Sequence, residues 1–364
     1  MKPVVLFAGA PSGGHLYPGL ALAARLREAG DCETHFLTSG GPLETAILAE
    51  AGQSAHRAPS PRPRSPLQWW HALRAVRRVF ADLRPHAFVG LGGAPSLLPG
   101  WVAAGRRCPV FLLEQNRVLG RANRWLAPVA RRLFLSYPDT DGGKIIRRRG
   151  LVVGCPVRAA FEPANWVAAR SSRPQVLVLG GSQGAKAVND LCPLAFARLS
   201  ESLRAAVRVL HVAGDGKAIG LREEYQRSGV EAEVVDYLAD PAPALAASAL
   251  VVGRAGGSTL AELTALGRGA LLLPYPHHRD RQQFLNASWL EAGGAARVCA
   301  EDPGHIATAL AALLSEPGTL ETMASCAQRL GRADAANQIA TIILTHLDAL
   351  PAHHPVVRGE AVAA

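Results

Sequence analysis

Four times along this chain a short apolar run stops at a glycine-rich turn and gives way to a helical pattern, and that repeated unit narrows the possible folds more than any other feature. The runs are Val4 to Ala8 before Gly9-Ala10-Pro11-Ser12-Gly13-Gly14-His15, Ala87 to Leu91 before Gly92-Gly93-Ala94-Pro95-Ser96, Gln175 to Leu179 before Gly180-Gly181-Ser182-Gln183-Gly184-Ala185, and Leu250 to Val252 before Gly253 to Thr259. Short, continuously apolar strands bounded by turns belong to sheets covered on both faces, and strands that alternate with helices make those sheets parallel. Further runs at Thr34 to Thr38, Val110 to Leu113, Arg131 to Tyr137, Val207 to Val212, Glu233 to Tyr237 and Ala270 to Leu273 extend the same grammar. The expected class is α/β: two Rossmann-like domains with a ligand cleft between them. The first loop lacks G-x-G-x-x-G and no acidic residue sits at the expected place after the second strand, so dinucleotide binding is disfavoured.

A chain of 364 residues also suits two domains of ordinary size. The expected division is an N-terminal domain over 1–158, a linker over 159–174 without clear period, and a C-terminal domain over 175–350. The pattern from Ile306 to Leu350 is helical, its last helix is free to pack back on the first domain, and 351–364 reads as a disordered tail. Apolar residues make up 49% and charged residues 19%, which provides a sizeable core. The net charge of +10 suits an anionic partner, but the only lysines are Lys2, Lys144, Lys186 and Lys217. A GC-rich coding bias also produces that arginine excess, so charge alone does not argue for nucleic acid, and none is expected. Six scattered cysteines without a C-x-x-C pair read as reduced thiols. Met1 to Ala10 runs straight into a glycine loop and reads as a first strand, not a signal peptide. No apolar run approaches the roughly 18 residues of a membrane span, so any membrane contact is expected to be peripheral.

The densest chemistry lies between Gly253 and Asn286. Gly256, Gly257, Ser258 and Thr259 open a helix carried by Leu260, Leu263 and Leu266. Unpaired N–H groups and the positive end of the helix dipole accept a diphosphate there without a lysine. Glu262, one turn inside, is placed for a ribose diol; alternatively Thr259 and Glu262 form a capping box. The amides of Gln282, Gln283 and Asn286 suit sugar hydroxyls, although by themselves they also fit a solvated helix start. Together these are the parts of a nucleotide-sugar site.

In the first half, His15 ends the glycine loop, as a general base or as a cap on the helix expected from near Pro18. Glu114, Gln115 and Asn116 follow the strand Val110 to Leu113 at its C-terminal end, where open α/β sheets bind ligands. Pro59 to Pro66 is an extended loop, followed by a helical pattern in Leu67, Trp70, Leu73, Val76, Val79 and Phe80. Arg62, Arg64, Arg74, Arg77 and Arg78 flank it, and Trp69 stands beside Trp70. A basic amphipathic helix of this kind suits an anionic membrane surface; an ordinary packing helix is the other reading. Asp139-Thr140-Asp141 has the spacing of a metal pair but lies in a glycine- and arginine-rich loop, GGKIIRRRG, and reads as a solvated turn, so no metal site is expected.

Taken in order, the GGSQGA loop, Leu113-Glu114-Gln115-Asn116, Gly120 and Asn123, the Gly154-Cys155-Pro156-Val157-Arg158 turn, and the stretch from RAGGST to DRQQFLNA resemble the MurG family. These are the peptidoglycan N-acetylglucosaminyltransferases that make lipid II from lipid I, and the resemblance runs from Val4 to about Leu347. It implies a GT-B architecture and an inverting, metal-independent and cofactor-free transfer from UDP-N-acetylglucosamine to the 4-hydroxyl of the muramoyl sugar. It also implies a peripheral place on the cytoplasmic face of the inner membrane. On that footing Ser182 and the Gly256 to Thr259 helix start hold the diphosphate, Gln183 belongs to the donor site beside them, backbone near Leu238 reads the uracil, Glu262 takes the ribose, and Arg158 closes from the hinge. Gln282, Gln283 and Asn286 hold the N-acetylglucosamine. Ser12, Gly13, Gly14, Gly92, Gly93, Gln115, Asn116 and Asn123 face the acceptor, with His15 as first candidate base and Glu114 as second. Three departures fall on the acceptor side or the hinge: an extra residue and a proline in the first loop, Leu113 in place of a histidine, and Cys155 in place of an asparagine. Rival readings are a transferase using another lipid acceptor, a UDP-sugar-binding paralogue without catalysis, and a sugar epimerase of the same architecture.

Overall fold

Strands covered on both faces need apolar side chains on both, and β1 (Val4–Ala8) meets that requirement with Val5, Leu6 and Phe7 fully buried. In the computed structural model, which describes residues 2–349 apart from 10–11, 60–64, 164–172 and 182–183, β1 lies near the middle of a seven-stranded parallel sheet. Its companions are β2 (Glu33–Thr38), β3 (Ser54–Arg57), β4 (Ala87–Gly90), β5 (Val110–Glu114), β6 (Arg132–Leu135) and β7 (Gly150–Val152), in the order β3-β2-β1-β4-β5-β6-β7. The second half repeats the plan with β8 (Gln175–Leu179), β9 (Arg208–Val212), β10 (Ala232–Val235), β11 (Ser248–Gly253), β12 (Gly269–Leu272) and β13 (Ala296–Val298), in the order β10-β9-β8-β11-β12-β13. In each sheet the chain leaves the central strand to one side and returns to the other, between β1 and β4 and between β8 and β11. The crevice of a parallel sheet opens where that reversal occurs. All four glycine turns of the sequence sit at these two switch points.

β3 and β7 are short edge strands, SAHR and GLV, and β13 is a short edge strand, ARV. Paired on one side only, they carry no apolar run that would announce them. Two local expectations are corrected. The helix expected from near Pro18 begins at Gly13 and runs to Gly30, with Pro18 inside; lacking an N–H, Pro18 leaves the Gly14 carbonyl without its helical donor. The presumed loop GGKIIRRRG is helical over Gly143–Arg149, because Lys144 to Arg149 includes four strong helix formers, Lys144, Arg147, Arg148 and Arg149. The neighbouring Asp-Thr-Asp is only partly solvated: Thr140 is buried and donates to the Tyr137 carbonyl at 2.9 Å, while Asp139 pairs with Arg117 at 2.7 Å.

The two domains share chain at two places. Phe161, just past the hinge, is fully buried in the core of the second domain beside Leu260 and Leu263. The helix Ala335–Asp348 crosses back and buries Ile339, Ala340 and Ile343 in the core of the first, against the helix Gly13–Gly30. Gly30 allows that crossing, since a methyl group there would collide with Leu344. Among the described residues no helix is long and apolar enough to cross a membrane.

Candidate active site

The loops after β1 and β4 touch, and their contact positions His15. Its Nδ1 lies 2.8 Å from the Leu91 carbonyl oxygen. A carbonyl only accepts, so Nδ1 carries the proton, and in the neutral ring Nε2 is left with a free lone pair. Burial moves the imidazole below its ordinary value of 6.5, opposed by the Leu91 carbonyl and the Gln115 side chain. His15 is therefore neutral at pH 7 in the tautomer of a base. Because its ring bonds Leu91 and not the helix end, the capping alternative falls away. Gly92 and Gly93 have φ of 94° and 76°, and a Cβ on Gly92 would stand 3.1 Å from the imidazole Cε1. Glycine is thus required there twice over, for backbone and for room.

A cavity of about 400 Å³ opens beside His15, lined also by Gly92, Gly93, Glu114, Asn116 and Gln282. Glu114 is buried, and its two oxygens are already engaged. Oε2 accepts from Gly120 N at 2.8 Å and Asn123 Nδ2 at 3.0 Å; Oε1 accepts from Asn116 N at 3.1 Å and Asn116 Nδ2 at 3.4 Å. Burial raises its pKa and these donors oppose the rise. A carboxylate held by four donors organises the 116–123 loop, and with both oxygens engaged Glu114 stays behind His15 as candidate base. Asn123 and Gln115 are likewise partly committed, donating to the Leu113 and Leu91 carbonyls at 2.8 and 3.1 Å. Leu113 itself points into the apolar core of the first domain, so the histidine absent there removes nothing from the cavity.

Across the cleft the helix Gly257–Ala265 starts at an extended Gly256, with no side chain capping it. The first helical bond is Leu260 N to Gly256 O, which leaves the N–H groups of Gly257, Ser258 and Thr259 free for an anion. Gly14, one residue before His15, faces this start: a Cβ on it would lie 3.5 Å from Ser258 Oγ. Thr259 is the third helical residue, not the cap, so a capping box with Glu262 is excluded. Glu262 instead approaches Arg158 Nη2 at 3.8 Å. Burial raises its pKa to about 7, with Arg158 opposing the shift and Asp240 adding to it. The Arg158 guanidinium, from the hinge, stacks on Tyr17 at 4.5 Å and on Phe161 at 4.9 Å. Beyond Glu262 a cavity of about 120 Å³ is walled by Leu179, Val212, Leu238 and Leu245, which suits a flat base next to a ribose.

The sugar-binding amides divide. Gln282 lines the His15 cavity and its Nε2 lies 3.0 Å from His278 Nδ1, while Gln283 Oε1 accepts from the Tyr275 amide at 2.9 Å. Asn286 is fully buried and spent: Oδ1 accepts from Arg117 N at 3.0 Å, and Nδ2 donates to Asn116 Oδ1 at 2.9 Å and to the Ala255 carbonyl at 3.2 Å. This corrects its role from sugar ligand to a strut joining the domains. Ser182 and Gln183 lie outside the described residues. Tyr17 and Arg117, which hold the hinge arginine and the Leu285 carbonyl, were not singled out in the sequence. Arg117 follows Asn116 directly at a strand end, which was the one available signal.

At Gly257 the backbones of the two domains meet closely, since a methyl group there would overlap the Gln115 carbonyl. Gly257→Ala is expected to cost about 1–3 kcal/mol, as overpacking does, and to widen the cleft. Thermal unfolding and small-angle scattering together check this; an unchanged melting temperature and radius of gyration would mean the domains do not abut at this point.

Two family models match the chain: the glycosyltransferase family 28 N-terminal domain over residues 5–135 and its C-terminal domain over 175–339. A curated relative from Xylella fastidiosa is 38% identical, covering 94% of this chain and 96% of its own. One from Rhizobium meliloti is 34% identical over 94% and 95% respectively. Both are named UDP-N-acetylglucosamine–N-acetylmuramyl-(pentapeptide) pyrophosphoryl-undecaprenol N-acetylglucosamine transferase. The solved structure of Acinetobacter baumannii MurG is similar with a TM-score of 0.78 and 25% identity, over 94% of this chain and all of that one. The Neisseria meningitidis UDP-GlcNAc 2-epimerase, at 14% identity, 0.68, 95% of this chain and 100% of that chain, shares the fold alone.

Proposed function

The chain belongs to the MurG branch of glycosyltransferase family 28, and from that premise we propose how its cleft carries out the family's reaction. It transfers N-acetylglucosamine from UDP-N-acetylglucosamine to the muramoyl sugar of a pyrophosphoryl-undecaprenol acceptor. The uracil enters between Leu238 and Leu245, the ribose diol bonds Glu262, and the diphosphate rests on the free amides of Gly257 to Thr259. Gln282 and Gln283 reach the donor sugar. The acceptor sugar fills the cavity beside His15. Its 4-hydroxyl oxygen attacks the anomeric carbon from the side opposite the diphosphate; the new O–C bond forms as the C–O bond to phosphate breaks, UDP leaves with the electron pair, and His15 Nε2 receives the proton. Charge grows on the departing diphosphate, where fixed amide dipoles stabilise it most. The observation that carries this reading is the facing of His15, in base tautomer, and an uncapped helix start across one cleft. Purified protein given labelled UDP-N-acetylglucosamine and the muramoyl-pentapeptide lipid is expected to yield a labelled disaccharide lipid. Binding of the nucleotide sugar without any transfer would leave only the non-catalytic reading.

An acceptor with an undecaprenyl chain sits in a membrane, and the N-terminal domain offers a surface for one. On the helix Pro66–Leu83 only Ala72, Val76 and Phe80 are buried, while Leu67, Trp69 and Trp70 are exposed and Arg74 lies over Trp70 at 5.5 Å. Trp101 and Trp125 are exposed on the next helices in the stack, Leu97–Gly105 and Arg121–Leu126. Arg62 and Arg64 lie outside the described residues. Basic side chains at an anionic surface contribute about 1 kcal/mol each and are screened by salt. Arg74→Glu/Arg77→Glu/Arg78→Glu is expected to release the protein from anionic vesicles with UDP affinity unchanged. Equal co-sedimentation of variant and parent would remove this face as the docking surface, and the cytoplasmic face of the inner membrane would lose its support here.

A further inference from the structure

A second cavity, of about 520 Å³, adjoins the one beside His15 and has a different character. Arg121 and Arg124 line it from the helix Arg121–Leu126 of the first domain, and His277, His278 and Arg279 from the loop before the helix Gln282–Ala292 of the second. Among the described residues none of these three guanidinium groups has an ion-pair or hydrogen-bond partner. The one acid in the lining, Asp280, is turned to the amide of Gln282 at 3.3 Å. Three uncompensated guanidinium groups from two domains, converging on one space, form a site for a polyanion.

The two cavities are joined by shared walls. Arg121 and Gln282 line both, and Gln282 is tied to His278 at 3.0 Å. Among the described residues Arg121 is also the single arginine or lysine in the His15 cavity, whose other polar lining is His15, Glu114 and the amides of Gln115, Asn116, Asn123 and Gln282. A sugar whose 4-hydroxyl faces His15 carries its C1 substituent on the far side of the ring. In the acceptor of this family's reaction that substituent is a diphosphate, and the His15 cavity has little charge to meet it. Another anion-friendly feature of the first domain, the start of the helix Gly13–Gly30, faces Ser258 and hence the donor's diphosphate. A second diphosphate there would be repelled by the first. Exposed Trp125, on the same short helix as Arg121 and Arg124, lines the His15 cavity and belongs to the aromatic face described above.

Resting on the transferase reading, we propose that Arg121, Arg124 and Arg279 form the subsite for the acceptor's diphosphate, so that the acceptor spans both domains. Because the arginines come from opposite sides of the cleft, this anion also draws the domains together over the donor. The arginines act on binding of the acceptor, not on the proton at His15.

The test compares the parent with Arg121→Gln/Arg124→Gln and with Arg279→Gln, using a water-soluble, short-prenyl diphosphoryl muramoyl-pentapeptide and, beside it, a muramoyl-pentapeptide bearing an uncharged alkyl group at C1. Removing charged donors is expected to raise KM for the diphosphate acceptor about tenfold to a hundredfold, with UDP affinity unchanged as the check on folding. The neutral acceptor, poor for the parent, is expected to be equally poor for the variants. A KM unchanged for the diphosphate acceptor overturns the proposal, as does an equal loss for both acceptors. If the variants keep that KM but detach from anionic vesicles, the arginines belong to the membrane surface and the proposal fails. A second arm needs no turnover: with UDP saturating the donor site, inorganic pyrophosphate is expected to bind the parent and to bind both variants at least tenfold more weakly. Pyrophosphate binding with no transfer to either acceptor would sink the transferase reading while keeping the anion site; no difference in pyrophosphate binding would sink the site.

Discussion

His15→Ala is expected to lower turnover about a hundredfold or more while UDP binds nearly as before, because a general base acts on the transition state and not on the nucleotide. One hydrogen bond prepares the imidazole for this proposed role. Leu91 fixes the proton on Nδ1 and leaves Nε2 to accept. Burial keeps the ring neutral by moving its pKa below 6.5. The sign of the pH dependence follows: the neutral form is the active one, so kcat/KM is flat near pH 7 to 8 and falls only as pH drops below the ordinary histidine value. That acid limb is expected to vanish in His15→Ala. Turnover at the parent's level, or an acid limb that persists unchanged in the variant, would place the base elsewhere.

The position of His15 in the cleft was legible in the sequence because it depends on local order: a strand, a glycine loop and a helix bring the residue at the loop's end to the crevice of a parallel sheet. The same locality made the buried strands β1, β5, β8 and β11 readable to within a residue or two. Residues whose role depends on partners distant in sequence were not readable. Glu114 looked like a free acid at a strand end, yet its donors Gly120 and Asn123 arrive only when the following loop folds back on it. Asn286 looked like a sugar ligand, yet its partners Asn116 and Arg117 belong to the other domain. Leu113 looked like a loss in the active site, yet strand alternation turns it to the core. The edge strands β3 and β7 were missed for the converse reason, since a strand half open to solvent need not be apolar.

Glu262 had two readings in the sequence, and the helix start at Gly257 removes the capping one by leaving Glu262 in the second turn, with no backbone amide to cap. What remains is a largely buried carboxyl between the hinge arginine and an apolar pocket. Glu262→Ala is expected to weaken UDP binding about tenfold to over a hundredfold, the roughly 1.5–3 kcal/mol of hydrogen bonds to a charged group. Glu262→Gln keeps the size but loses the charge, and is expected to recover only part of that loss. The carboxyl's pKa near 7 adds a signature that a merely structural residue would lack. Ribose hydroxyls donate, so they favour the ionised form; affinity therefore rises with pH as Glu262 ionises through about 7 and levels off above it. UDP titrates in the same range through its own terminal phosphate, with a pKa of about 6. The informative quantity is therefore the difference between parent and Glu262→Gln, in which the ligand's titration cancels. Calorimetric titrations of both proteins from pH 6 to 8 are expected to diverge as pH rises, the parent gaining affinity that the variant does not. Parallel curves would mean that the ribose does not bond to this carboxylate, and that the raised pKa reflects burial against Arg158 and nothing more.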